Sequence, residues 1–271
     1  MTLPPITTAQ ARRFAVAGLS YYAALMQASQ NLLPGSCSLC RGSLKRFDNA
    51  LCQRCIAELP RLTTSCQRCA VPLASDLVCA ACQLTPPAFR RCIAAFRYQP
   101  PINSIIVRLK SDPYVAELQQ LSAVLAERIT VTYREAQQVI PQVVIPLPLH
   151  WLKMTRRGFN QSHILCQLLA KHFSRQHNTA LNLRTDICRR IAQGQAQHLL
   201  SAKQRLTGIK NAFIAEQPVN ISLKGVSVAV VDDVVTTGAT ANSVAAALLR
   251  AGVEHVDIWC LARTSWNNSA G

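Results

Sequence analysis

Residues 225–240 read Gly-Val-Ser-Val-Ala-Val-Val-Asp-Asp-Val-Val-Thr-Thr-Gly-Ala-Thr, and no other stretch limits the fold so tightly. The run 226–231 is apolar and rich in valine, with Gly225 before it and two carboxylates after it. A strand apolar on both faces belongs to a parallel sheet covered on both sides. Asp232 and Asp233 follow, then a polar turn through Gly238, then a helical pattern over 239–250. Strand, turn and helix place the turn at the carboxyl edge of the sheet, where open α/β folds bind ligands. Backbone N–H groups at the helix start, with the hydroxyls of Thr236, Thr237 and Thr240, suit an anion such as phosphate. Two adjacent carboxylates can accept hydrogen bonds from a vicinal diol, so the pattern describes a sugar-phosphate site. An ordinary βα turn rich in small residues is the plain alternative, but it leaves the acids, threonines and glycine in register by accident. Neither a Gly-x-Gly-x-x-Gly nor a Walker Gly-Lys-Thr occurs, which removes dinucleotide and P-loop readings.

The cysteines supply the second constraint. Eight of the twelve form four Cys-x-x-Cys pairs: Cys37/Cys40, Cys52/Cys55, Cys66/Cys69 and Cys79/Cys82. Two residues of spacing let both thiolates of a turn reach one ion, and zinc accepts four sulfurs tetrahedrally, so eight thiolates suit two zinc ions. An all-cysteine shell leaves no position for water, so these ions are structural. Nearby Arg41, Lys45, Arg46, Arg54 and Arg68 offset thiolate charge. A disulfide framework needs an oxidising compartment, against which a metabolite-type site argues. An iron–sulfur cluster also uses four cysteines, but paired knuckles around loops of this length match zinc ribbons better. Spacing leaves open which pairs share an ion: 37/40 with 52/55 is simplest, and an interleaved set is equally allowed. Cys92, Cys166, Cys188 and Cys260 stand singly in apolar surroundings as inert core residues.

With 29 Lys and Arg against 13 Asp and Glu, the 271-residue chain carries a formal charge of +16, which favours polyanionic partners such as nucleic acid. No stretch of apolar residues is long enough to span a membrane. Residues 14–25 follow Arg12 and Arg13 in the manner of a signal peptide, but the tyrosine pair and Ser20 interrupt the apolar run. The expected organisation is a helical extension over 1–33, a double zinc-ribbon module over 34–87 and an α/β domain over 88–271. Within the last, strands are predicted at 92–98, 142–147, 226–231 and 255–262, and helices at 102–110, 115–129, 160–173 and 239–250. Their alternation predicts a parallel, doubly wound sheet.

Two more segments carry chemistry. Residues 143–150 (Val-Val-Ile-Pro-Leu-Pro-Leu-His) read as a strand entering a proline-stiffened loop, giving Pro146, Leu147 and Pro148 as candidate ligand contacts. Residues 156–161 (Arg-Arg-Gly-Phe-Asn-Gln) read as a helix opening. There Arg156 and Arg157 offer bidentate anion recognition, Gly158 close backbone approach, and Asn160 and Gln161 amides. A basic loop at a helix start is the plainer account of the same residues.

The string 232–240 resembles the phosphoribosyl pyrophosphate (PRPP) motif of type I phosphoribosyltransferases. Taken in order, the cysteine knuckles, Leu109-Lys110, residues 145–148, residues 157–161, Gln197, Leu200-Ser201, Arg205, Ala212-Phe213 and the Asp-Asp loop resemble the ComF family in its GntX type, over about residues 32–264. Gly208 departs from that pattern, which has Asn there; Asn211 is the nearest substitute.

The resemblance implies a phosphoribosyltransferase-like α/β fold with an N-terminal zinc-ribbon module. It also implies a cytoplasmic protein acting in uptake or use of exogenous DNA, with single-stranded DNA and DNA-uptake or processing proteins as partners. Asp232 and Asp233 would hold the ribose hydroxyls, and Val234, Val235, Thr236, Thr237, Gly238 and Thr240 the 5′-phosphate. Pyrophosphate, bridged by magnesium, would lie near residues 146–149, with Arg156 and Arg157 stabilising its departure. Thr236 stands where purine-salvage relatives carry an acid, which disfavours hypoxanthine- or guanine-type acceptors. Glutamine-driven amination is not expected, since no glutaminase domain precedes the motifs. An active phosphoribosyltransferase of nucleotide metabolism, with no DNA role, is the competing reading. Phe47, Phe89, Tyr98, Trp151 and Phe159 are the candidate aromatics for stacking on bases.

Overall fold

The computed structural model describes residues 35–45, 49–75, 77–177, 179–191, 212–217 and 222–265. The predicted extension over 1–33, Phe47, and the segment from Gln197 to Asn211 lie outside them. The chain divides into two compact units, Met1–Glu58 and Leu59–Gly271.

Each unit contains one cysteine tetrad, built in the same way. In the first, the Cys37 N–H donates to the Gly42 carbonyl at 2.8 Å and the Arg41 N–H to the Cys37 carbonyl at 2.9 Å, and Ser36 bridges to Ser43. In the second, the Cys66 N–H donates to Val71 and the Ala70 N–H to Cys66, both at 2.9 Å, and Ser65 bridges to Pro72. Arg41 and Ala70 fill equivalent places, with φ of 61° and 56°. Cys52 and Cys79 then cap the short helices α1 (Gln53–Ala57) and α2 (Ala80–Leu84), and Cys55 and Cys82 lie inside them. The pairs thus combine in sequence order, 37/40 with 52/55 and 66/69 with 79/82.

The larger unit continues through β1 (Arg91–Arg97), α3 (Ile102–Leu109), α4 (Leu118–Glu135), β2 (Val143–Pro146), α5 (Trp151–Arg157), α6 (Gln161–His177), β3 (Asn182–Leu183), β4 (Cys188–Arg190), β5 (Phe213–Ala215), β6 (Ser227–Val235), α7 (Ala239–Arg250) and β7 (His255–Arg263). Five strands form one sheet in the order β1-β7-β6-β2-β3, every pair parallel, as predicted. The central strand β6 is bonded on one side to β2 (Val143↔Val228 to Pro146↔Val231) and on the other to β7.

Side chains alternate across the sheet, so each strand serves two cores. On one face Trp259 lies between Tyr133 of α4 and Phe173 of α6, each ring centroid 6.3 Å away. On the other, Val228, Val230, Ile258 and Cys260 share a buried cluster with Val244 and Leu248 of α7 and with Phe89 and all four cysteines of the second ribbon. That ribbon covers part of a sheet face where a doubly wound fold ordinarily lays a helix.

Three differences from the sequence reading have local causes. Strand β6 runs on through Asp232, Asp233 and Val235, because its ladder with β7 continues to Val235↔Arg263; the acids lie inside the strand's end rather than after it. Helix α5 was not foreseen, since it buries no side chain and so has no apolar period. The antiparallel pair β4–β5 was missed because strands of three residues show no alternation.

Burial of the second tetrad in the sheet's own core sets its energetic weight. Structural zinc contributes about 10–16 kcal/mol in small ribbons, comparable with the whole stability of a domain, about 5–15 kcal/mol. Cys79→Ser is expected to abolish the cooperative unfolding transition of the sheet, followed by far-UV circular dichroism in denaturant. Cys40→Ser, at an exposed position of the other unit, is expected to leave that transition in place.

Candidate functional site

Where β6 ends, the chain leaving β2 runs beside it, held by the Leu147 N–H on the Val231 carbonyl at 2.8 Å. The two strand ends and the start of α7 enclose a cleft with Asp232, Asp233, Thr236, Gly238 and Thr240 on one side and Leu147, Pro148 and Leu149 on the other.

The acids are held from below. Asp232 Oδ1 accepts the Asp233 N–H at 2.9 Å and the Ser162 hydroxyl at 3.3 Å. Asp233 Oδ1 accepts the Val234 N–H at 3.0 Å, while its Oδ2 is buried with no hydrogen-bond partner. Burial first, and then the charge of Asp233, push Asp232 well above the ordinary carboxylate range. The pair is therefore short of donors, a condition that a diol relieves.

Four basic side chains line the same cleft: Lys110 at the end of α3, Lys153 and Arg157 on α5, and Arg190 on β4. Arg157 donates to Gln161 Oε1 at 3.0 Å, and Arg190 lies over the Phe213 ring, 5.5 Å from its centroid. Gly238, at φ +82°, turns the chain into α7, whose start has no side-chain cap from that residue. The Ala239 N–H meets Thr237 Oγ1 at 3.3 Å. Thr237 thus takes one N–H of this 12-residue helix, and the others of its first turn favour an anion there.

The cysteine tetrads fit zinc. In each, the four sulfurs lie within 4.8 Å of one another. Burial alone would raise the Cys37 and Cys66 thiols, but N–H groups of Cys40, Cys52 and Leu39 bring Cys37 down to about 6, and those of Cys69, Cys79 and Arg68 bring Cys66 to about 7. Burial pushes Cys55 up to about 12 and Cys69 to about 11, with a neighbouring sulfur adding to each. A divalent ion removes that conflict by taking the place of the protons and binding all four sulfurs as thiolates.

The double zinc ribbon domain family matches residues 28–83. DNA utilization protein YhgH of Escherichia coli (strain K12) is 36% identical over 233 residues, which are 86% of this chain and 98% of that one. Competence protein F of Haemophilus influenzae is 31% identical over 228 residues, 84% and 96% of the two chains. The chain belongs to the ComF/GntX family. Among solved structures, a hypoxanthine phosphoribosyltransferase from Trypanosoma cruzi aligns with 54% of this chain and 65% of its own, at TM-score 0.33 and 19% identity. The parallel sheet of this ComF/GntX member, with an acid pair near the end of its central strand, and its two cysteine tetrads match the α/β sheet and zinc-ribbon module of the expected fold class.

Of the residues singled out in the sequence, Leu147, Pro148, Arg157, Gln161, Asp232, Asp233, Val234, Val235, Thr236, Gly238 and Thr240 line the cleft of this ComF/GntX chain. Five do not. Arg156 is exposed on α5, Thr237 is exposed in the turn, and Pro146 is buried in β2. Asn160 fastens the site: its Nδ2 donates to the Leu147 carbonyl at 3.0 Å and its Oδ1 accepts the Ser162 N–H at 2.9 Å. Gly158 ends α5 at φ +74°, so the two arginines close one helix instead of opening the next, as the sequence suggested.

Lys153, Arg190 and Ser162 were missed, and Lys110 was noted only as part of the family pattern. Lys153 shares a basic run with the two arginines, a usable signal. Arg190 and Ser162 have no motif and reach the site only through tertiary folding.

Because Asp232 titrates higher folded than unfolded, the folded state holds its proton more tightly. Stability therefore falls as pH rises from the unfolded value through the folded one. Asp232→Asn keeps an acceptor oxygen for Ser162 and removes the charge. In ligand-free protein the variant's melting temperature is expected to match wild type near about pH 4 and to exceed it near neutrality, by scanning fluorimetry across pH. A lower value at neutral pH would contradict this.

Proposed function

We propose that the cleft binds PRPP or a related ribose phosphate together with magnesium. In this reading the protein acts in the cytoplasm in the uptake or use of exogenous DNA, with single-stranded DNA and DNA-processing proteins as partners. The observation that carries the ligand reading is the composition of the cleft: four basic side chains and one acid pair line it together, with one carboxylate oxygen lacking a donor. A neutral sugar has no use for the cations, and a bare polyphosphate none for the acids. A ribose carrying phosphate groups uses both.

In this reading the 2′- and 3′-hydroxyls donate to Asp232 and Asp233, and the 5′-phosphate meets the open N–H groups at the start of α7 beside Thr236 and Thr240. Pyrophosphate lies along Leu147, Pro148 and Leu149, facing Lys153 and Arg157. Magnesium, bound with the ligand, supplies charge neutralisation on the pyrophosphate oxygens. Arg157, steadied by Gln161, stabilises charge on the departing group; Arg156, outside the cleft, is not needed for that role. Thr236 offers no acid to a purine acceptor.

The DNA role is supported by the names of the relatives, DNA utilization and competence proteins, and by the charge of +16. Trp151 is 60% exposed and available for stacking, whereas Phe89 is buried and is not. No helix of the described residues is long and apolar enough to cross a membrane. A phosphoribosyltransferase of nucleotide metabolism without a DNA role is the second reading, favoured by the completeness of the acid pair.

Calorimetric titration of the zinc-loaded protein with magnesium–PRPP tests the ligand. Saturable heat is expected, and its loss in Asp232→Ala/Asp233→Ala. Single-stranded DNA affinity is expected to fall by about 300-fold between about 50 and 200 mM salt if about six phosphates are neutralised. DNA binding without PRPP heat overturns the ligand reading; PRPP heat without DNA binding moves the function to the second reading.

A further inference from the structure

Arg263 closes β7 and is 2% exposed, yet a guanidinium stays charged at any physiological pH. None of the ion pairs among the described residues includes it. Its donors go two ways. Nε donates to the carbonyl of Cys69 at 2.8 Å, a member of the second tetrad. Nη1 donates to the carbonyls of Val235, at 3.1 Å, and of Thr236, the residues that lead into the turn before α7. Thr264 reinforces the second contact: its N–H donates to Val235 and its hydroxyl to Thr236, both at 3.2 Å.

Two consequences follow from elementary chemistry. In a trans peptide the N–H points opposite to the C=O. Holding the carbonyls of Val235 and Thr236 on Arg263 therefore fixes the N–H groups of Thr236 and Thr237 on the opposite side of their peptide planes. A buried cation also needs compensating charge, and a zinc ion with four thiolates carries a net charge of about −2. The second tetrad is the adjacent source of it.

We propose that Arg263 is a positioning residue that ties the second zinc ribbon to the phosphate turn. The thiolate charge of the metal-loaded ribbon holds the guanidinium, and the guanidinium holds residues 235–237 in the form that receives an anion. Zinc at Cys66, Cys69, Cys79 and Cys82 and an anion at the turn then favour each other, since coupling between two sites is reciprocal. The anion half rests on the ribose-phosphate reading; the tie between ribbon and turn does not.

The test compares zinc-loaded wild type with Arg263→Gln and Arg263→Lys, by amide hydrogen exchange across 232–240 and by zinc release to a chromogenic chelator. Release is expected in two phases, the slower from the fully buried second tetrad. Arg263→Gln, lacking charge and fork, is expected to speed exchange of the turn by about tenfold and the slow zinc phase by about tenfold, leaving the fast phase unchanged. Arg263→Lys keeps the charge but not the planar fork, so it is expected to retain the slow zinc phase and still loosen the turn. A general packing defect does not divide the two readouts. Exchange in the turn equal to wild type in both variants, or both zinc phases rising together, overturns the proposal.

Should the variants not fold, Thr264→Val answers instead, since it removes a hydroxyl from the turn and leaves the ribbon's own contacts in place: a faster slow zinc phase with an unchanged fast phase supports the tie, and an unchanged slow phase overturns it. Magnesium–PRPP that fails to slow the slow phase while Arg263→Gln still separates the phases overturns the ribose-phosphate reading alone.

Discussion

Strand β6 is hydrogen-bonded along both edges and buried on both faces, and the rest of the larger unit is arranged around that requirement. Every backbone group in its middle is spent on the ladders with β2 and β7, and every side chain there must be apolar. Polar chemistry is possible only where the strand runs out. The acids at 232 and 233 occupy that end, and neighbouring elements contribute what the strand cannot: cations from α3, α5 and β4, and the open first turn of α7.

The second ribbon solves a packing problem on the same strand. Val228 and Val230 need cover, and part of it comes from a cysteine cluster instead of a long helix. Such a cluster packs densely only when one ion gathers its four sulfurs, so metal and hydrophobic core depend on each other. The first ribbon has the same knuckle, but Cys40 is exposed and Cys52 half-exposed, which leaves its metal with less of a core to support.

The sequence made legible what repeats or alternates locally. The valine run, the acid pair, the Thr-Thr-Gly turn and the helix after it follow one another directly, so the sheet and half of the cleft could be read from one stretch. The four Cys-x-x-Cys pairs announced two metal sites, but near-equal spacings could not say which pairs combine; tertiary placement of α1 and α2 decides that. Helix α5 stayed hidden because nothing on it is buried. Lys110, Lys153 and Arg190 come from three elements far apart in the chain, and no local pattern unites them. Arg263 was invisible for a related reason: an arginine ending an apolar strand reads as a solvated terminus, and only the carbonyls of Cys69, Val235 and Thr236 around it show otherwise.

The central claim is that the end of β6 and the start of α7 form one ribose-phosphate site. A crystal structure of the zinc-loaded protein soaked with magnesium and PRPP tests it most directly. The account predicts a phosphate on the N–H groups of residues 236–240, with two ribose hydroxyls within hydrogen-bonding distance of Asp232 and Asp233. Ligand density at another place, or an empty cleft at a saturating concentration, would contradict it.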